Sequence, residues 1–196
     1  MKNLFKQKGY LMLKCLINQI ALSLFGLMVS GFTITDGGTG WLLPIGIFSI
    51  LFYYFILISF IREDGLKDGL KVEGGRMKKD VFLSVKYCAI ASVPGLLFPL
   101  INLIVRLIAH FGSFTNDLII NISGICNAVT RILTYGMYNP VDSYLFNHQY
   151  GLLKSISFVS DWGISFLIYT LLTIAVAFFA YFTGVNQMFT KKENKE

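Results

Sequence analysis

The polar cluster that could do chemistry lies on the predicted outer side: Arg106, His110, Asp117, Arg131, Asp142, His148 and Asp161. Two imidazoles among several carboxylates could coordinate a divalent cation, and the two guanidiniums could grip a phosphate ester. The spacing follows neither H-E-x-x-H nor a paired-cysteine pattern, and G-x-S-x-G is missing from the chain. Gly74-Gly75-Arg76 with Lys78 and Lys79 is a second place where backbone and cations could cradle a phosphate, but it matches no phosphate-loop pattern. Cys15, Cys88 and Cys126 are isolated single cysteines, which suits small buried apolar residues better than a zinc or redox pair. No catalytic residue, cofactor or metal ligand is therefore assigned. The candidate polar lining is Gln19, Asn102, Arg106, His110, Arg131, Asp142 and His148.

The elements that must position these groups are apolar and long. Between Lys86 and Arg106 lie nineteen residues without a charge, which as a helix cover roughly 29 Å, the hydrocarbon thickness of a bilayer. Steps of four and three along this stretch give Cys88, Ser92, Gly95, Pro99, Asn102 and Arg106. Lipid tails provide no hydrophobic drive between helices, so such a small and polar stripe marks the packing face. Pro94 and Pro99 each remove a ladder hydrogen bond and predict a kink. The first apolar run carries a similar stripe, Cys15, Gln19, Ser23, Gly26, Ser30 and Thr33, and the last carries Thr170, Thr173, Ala177, Ala180 and Gly184. The second run, Trp41 to Ile61, is rich in Phe and Tyr and only weakly striped, as expected of a helix facing lipid over much of its circumference. The first run is read as a retained helix, because it is span-length and no A-x-A site follows it.

Two stretches resist this scheme. Residues 62–80 hold six cations and five anions, with a tandem Asp-Gly-Leu-Lys at Asp64–Lys67 and Asp68–Lys71, and read as a solvated connector with turns at the D-G and G-G steps. Residues 111–160 are too polar for plain spans and too apolar for a loop. Within them Asp117 to Gly136 has helical periodicity, with Leu118, Ile122, Ile125, Val129 and Ile132 on one face and Asp117, Asn121, Gly124, Arg131 and Thr134 opposite. Tyr138-Asn139-Pro140 is expected to break that helix.

The predicted fold is an all-α integral membrane protein forming one transmembrane domain. It is a four-helix bundle with spans near 12–33, 41–61, 84–108 and 162–185, a cytoplasmic loop at 62–80, and an outer amphipathic interfacial helix within 111–160. The alternatives are six spans or a re-entrant segment within 117–160. Composition agrees: 55% hydrophobic, 15% aromatic, 14% charged, mean hydropathy +0.63. With both termini in the cytoplasm, fourteen of the seventeen Lys and Arg lie on the inner side, leaving only Arg106, Arg131 and Lys154 outside. The net charge of +6 flanks apolar runs, so it predicts contact with the lipid bilayer and no nucleic-acid partner.

The run from Arg62 to Pro94, with G-L-K-D-G-L-K-V-E-G-G-R-M-K-K-D followed by Ser92-Val93-Pro94, resembles uncharacterised small polytopic membrane proteins of Gram-positive bacteria. That resemblance implies a bacterial cell membrane and no particular activity. No Asp or Glu falls inside a predicted span, which counts against ion-coupled transport. The expectation is a non-enzymatic multi-pass protein, a partner or accessory subunit of a larger membrane assembly or a homo-oligomer. The alternatives are a solute-binding or transport subunit with its site near the kinked third helix and the outer segment, and an outer-face metal-dependent enzyme using His110 or His148.

Overall fold

A computed structural model describes residues 2–35, 41–112, 117–146 and 152–193. The regular structure among the described residues is helical, with no strand. The helices are α1 (Lys2–Thr35), α2 (Leu42–Glu73), α3 (Leu83–Ala91), α4 (Val93–Gly112), α5 (Asp117–Thr130), α6 (Asn139–Phe146), α7 (Phe158–Asp161) and α8 (Ile164–Glu193). Four segments are long and apolar enough to cross a membrane: Lys8–Gly31, Leu42–Glu73, Val93–Gly112 and Ile164–Gln187. The chain is a multi-pass helical membrane protein.

Internal contacts divide it into two units. The first comprises Met1–Cys15, Tyr54–Ala91 and Leu171–Glu196, and the second Leu16–Tyr53 and Ser92–Thr170. In both, the predicted stripes are the buried faces. Cys15, Gln19, Ser23 and Ser30 of α1, Asn102 of α4, and Thr170, Thr173, Ala177 and Ala180 of α8 are all shielded, while Phe48, Leu51, Phe55, Ile104, Leu171 and Phe179 point outward. Thr33 lies among residues whose side chains are not described. This inside-out distribution is what lipid solvation dictates: large apolar groups face the tails and small or hydroxyl groups bring backbones together.

In the first unit, α2 does not stop at Ile61. It continues as one helix through Glu73, across the stretch that composition assigns to a connector. The D-G steps are not turns here. A Cβ on Gly65 would sit 2.6 Å from the Tyr181 carbonyl oxygen, so this glycine serves the close approach of α8. The helix ends instead at Gly74-Gly75. Gly75 has φ +68, Arg76 N–H donates to the Lys71 carbonyl at 2.9 Å and Gly75 N–H to Val72 at 3.1 Å. This is a Schellman closure, which the left-handed glycine makes possible.

The third apolar stretch is not one helix either: α3 ends at Ala91, and α4 begins at Val93. Pro94 sits in the first turn of α4, where its missing N–H leaves no ladder bond unmade, and Pro99 is buried inside the helix. The predicted kink is thus a break before Pro94.

In the second unit, α4 and α5 pack side by side, and their contacts fix the direction. Arg106 meets Ser123, Asn102 meets Asn127, and a Cβ on Gly95 would meet Thr134 and Tyr135. Position numbers fall on α4 as they rise on the partner, so the two run antiparallel. From Arg106 to Gly95 they stay together for about 16 Å of helix axis. The continuation of α5 first widens and then tightens, shifting register: residues Arg131–Tyr135 form a π-helical turn and Gly136–Tyr138 a 3-10 turn. Thr130 and Thr134 each turn their hydroxyl back onto the carbonyl four residues earlier, at 2.7 and 3.2 Å, competing with the regular ladder. α6 then begins at Asn139 with Pro140 in its first turn, so the Tyr-Asn-Pro step starts a helix where the sequence suggested only a break.

The faces of α5 also differ from the periodicity reading. Its buried stripe is Ser123, Cys126, Thr130 and Thr134, while Ile120, Ile125 and Ile132 are exposed. The apolar side faces out, as on the spans.

Candidate functional site

The turn between α5 and α6 is where the second unit concentrates its polar groups. Every residue from Thr134 to Pro140 is buried. Non-helical backbone in such surroundings must find partners inside the protein. Gly136 N–H donates to Ser23 Oγ at 3.1 Å, and the Asn139 amide donates to Ser30 Oγ at 2.9 Å. Ser23 and Ser30 belong to the apolar segment Lys8–Gly31, so the turn lies alongside a spanning helix. A Cβ on Gly26 would collide with Met137 and Gly136 backbone atoms, and one on Gly136 with the backbone of Ser23, so both glycines are needed for contact at this distance.

Around this turn lie two linked sets of polar side chains. In the first, Arg131 donates Nη1 to Asn139 Oδ1, and Nη2 to Asp142 Oδ2 at 3.1 Å and Ser160 Oγ at 3.2 Å. The Ser160 hydroxyl donates in turn to Asp142 Oδ2, and the guanidinium stands 5.6 Å from the Phe166 ring centre. Asp142 is fully buried, and its Oδ1 has no hydrogen-bond partner among the described residues. In the second set, Asn102 Nδ2 donates to Asn127 Oδ1 at 3.0 Å and to the Asp161 carbonyl at 2.9 Å, and Asn127 Nδ2 reaches the same carbonyl at 3.1 Å. Asn102 Oδ1 is left without a partner. Aromatic rings wall the region: Tyr138 stacks on Tyr169 at 4.2 Å, Tyr135 lies 5.6 Å from Phe166, and the hydroxyls of Tyr135 and Thr170 meet.

Of the seven candidate lining residues, the structure joins Arg131 directly to Asp142. Asn102 is held by Asn127 and Asp161 instead, and Arg106 donates Nε to Ser123 at 2.7 Å. Gln19 donates to the Tyr53 hydroxyl at 3.3 Å, with its own Oε1 unpartnered. His110 packs its ring against Phe111 and Trp162. His148 lies outside the described residues. Among the described residues no three His, Cys, Asp or Glu side chains converge as a metal-binding set.

The first unit holds a charged cluster that the sequence reading missed. Lys8 Nζ lies 2.6 Å from Asp64 Oδ1, Asp64 Oδ2 and Asp68 Oδ2. Lys71 reaches Asp68 Oδ1 at 2.9 Å, and the Tyr181 hydroxyl donates to Asp68 Oδ2 at 2.9 Å. Lys8 and Asp68 are almost completely buried, at 5% and 1% exposure. Two ammoniums balance two carboxylates, which is the condition under which buried charges persist. The signal was available: Asp64 and Asp68 stand four apart, one face of a helix, but only if the connector is helical. Both carboxylates lie on the continuation of α2 past Ile61, beyond the uncharged run expected to cross the bilayer.

No family description, curated protein or solved structure matches this chain.

Proposed function

We propose that this chain is a non-enzymatic membrane subunit that works as a partner in a larger membrane assembly, with α5 and α6 forming a re-entrant hairpin beside α4. The carrying observation is that the polar side chains able to bind a solute are engaged with one another. Arg131 is shared by Asn139, Asp142 and Ser160, and Asn102 by Asn127 and Asp161. These bonds hold helices together, and large apolar side chains, chiefly Phe, Leu and Ile, are exposed along the spanning helices and α5. In this reading both termini face the cytoplasm, as the distribution of Lys and Arg supports. α5 enters the bilayer from the outer side and returns through α6, its irregular tip shielded by α1 and α4. The test is reconstitution of the purified chain alone. It should be inert in solute-flux assays, while photo-crosslinkers at exposed α5 positions in native membranes should trap one defined membrane protein. Solute movement or turnover by the isolated chain overturns the proposal.

A second reading, a solute-binding or transport subunit, draws on Asn102 Oδ1 and Asp142 Oδ1, buried acceptors without donors near an interrupted helix. It predicts a saturable ligand whose affinity drops in Asn102→Asp or Asp142→Asn at unchanged fold. Equal affinity in both variants would remove it.

A further inference from the structure

Beside the crossing of α2 and α8 in the first unit lies a groove of about 360 Å³, lined along α2 by Phe55, Ile58, Ser59, Arg62, Glu63 and Leu66 and across from it by Gln187. We propose that this groove holds one anionic phospholipid, its phosphodiester on Arg62 and an acyl chain along Phe55 and Ile58. The argument starts from depth. The uncharged run Leu42–Ile61 spans twenty residues, about 30 Å as a helix, so Arg62 stands where hydrocarbon gives way to headgroups. Phe55 lies two turns deeper, about 10 Å along the axis, on the same side of α2. From Phe55 to Arg62 the lining therefore changes from aromatic and aliphatic, through the Ser59 hydroxyl, to a guanidinium, in the order that tail, glycerol ester and phosphate follow in a lipid, with Leu66 one turn beyond the guanidinium.

Charge points the same way. Glu63, the one acidic group of the lining, is 2.6 Å from Lys67 and neutralised by it. Arg62 is exposed and forms no ion pair among the described residues. The groove thus presents one uncompensated cation at phosphate depth, and its planar fork suits two phosphate oxygens. Its walls are also set by the fold. A Cβ on Gly184 would strike the Arg62 carbonyl, so α8 crosses α2 at backbone contact there. One turn further on, Gln187 forms the opposite wall as the helices part.

The experiment is native mass spectrometry of the full chain released from nanodiscs containing equal phosphatidylglycerol and phosphatidylcholine. The proposal expects one phosphatidylglycerol retained in preference to phosphatidylcholine. Arg62→Gln should lower that retention about fivefold, whereas Lys78→Gln, which removes an equal charge from the exposed stretch after α2 and leaves the Glu63–Lys67 pair intact, should leave it nearly unchanged. Ser59→Phe, which fills the groove without changing charge, should also abolish it, and it carries the test if Arg62→Gln does not fold. Equal losses in Arg62→Gln and Lys78→Gln would mean diffuse attraction and overturn the site. Equal retention of both lipids would overturn it as well. Displacement by millimolar inorganic phosphate would assign the Arg62 site to a free phosphate and refute the lipid.

Discussion

The charged cluster of the first unit and the polar turn of the second solve the same problem with different chemistry. Each joins side chains from several helices in surroundings where water cannot satisfy them. At Lys8, Asp64 and Asp68 the groups are formal charges, every oxygen of both carboxylates has a donor, and Lys71 and Tyr181 complete the set. Around Arg131 and Asn102 most groups are amides and hydroxyls, and two acceptors, Asp142 Oδ1 and Asn102 Oδ1, have none. A saturated ionic clasp is rigid and intolerant, because losing one member strands a charge. A network made mostly of neutral groups, with spare acceptors, loses less per neutral group and tolerates rearrangement.

The largest effect should therefore come from Lys8→Met. It leaves Asp64 and Asp68 with Lys71 as their one cation and should cost about 3–5 kcal/mol, seen as a lowered unfolding midpoint in mixed micelles. Adding Asp64→Asn to Lys8→Met should recover a large part of the loss. If the double variant is no better than the single one, the clasp does not work through charge balance. Gly136→Val comes next. It drives a side chain into the Ser23 backbone, and overpacking of this kind costs about 1–3 kcal/mol, with the loss read by thermal unfolding. Asn102→Leu should cost roughly 1–2 kcal/mol, since Asn127 still reaches the Asp161 carbonyl.

How much of this was legible depends on how local the signal is. The stripes on α1, α4 and α8 could be read because helix packing in lipid selects small residues at fixed spacing, a property of each segment alone. Asp64-Gly65 and Asp68-Gly69 misled because D-G reads as a turn locally, whereas the approach of Tyr181 and the reach of Lys8 are long-range. Arg131 and Asp142 were found as polar residues in an apolar chain, but their connection through Asn139 and Ser160 depends on a π-helical turn that no periodicity announces. The buried face of α5 was misjudged for a related reason. In a soluble helix the isoleucines would face inward, but beside a spanning helix the hydroxyl stripe Ser123, Thr130 and Thr134 does.

The comparison of the two regions rests on the polar turn lying at membrane depth, and one labelling experiment addresses that directly. In a chain whose three native cysteines are replaced by alanine, Asn121→Cys and Ile132→Cys are treated with a membrane-impermeant maleimide from either side of sealed vesicles. Both positions are exposed on the protein surface. A re-entrant hairpin predicts that Asn121→Cys labels from the outer side while Ile132→Cys, facing lipid, labels from neither. Equal labelling of both from the outer side would place the whole of α5 on the membrane surface and contradict the account.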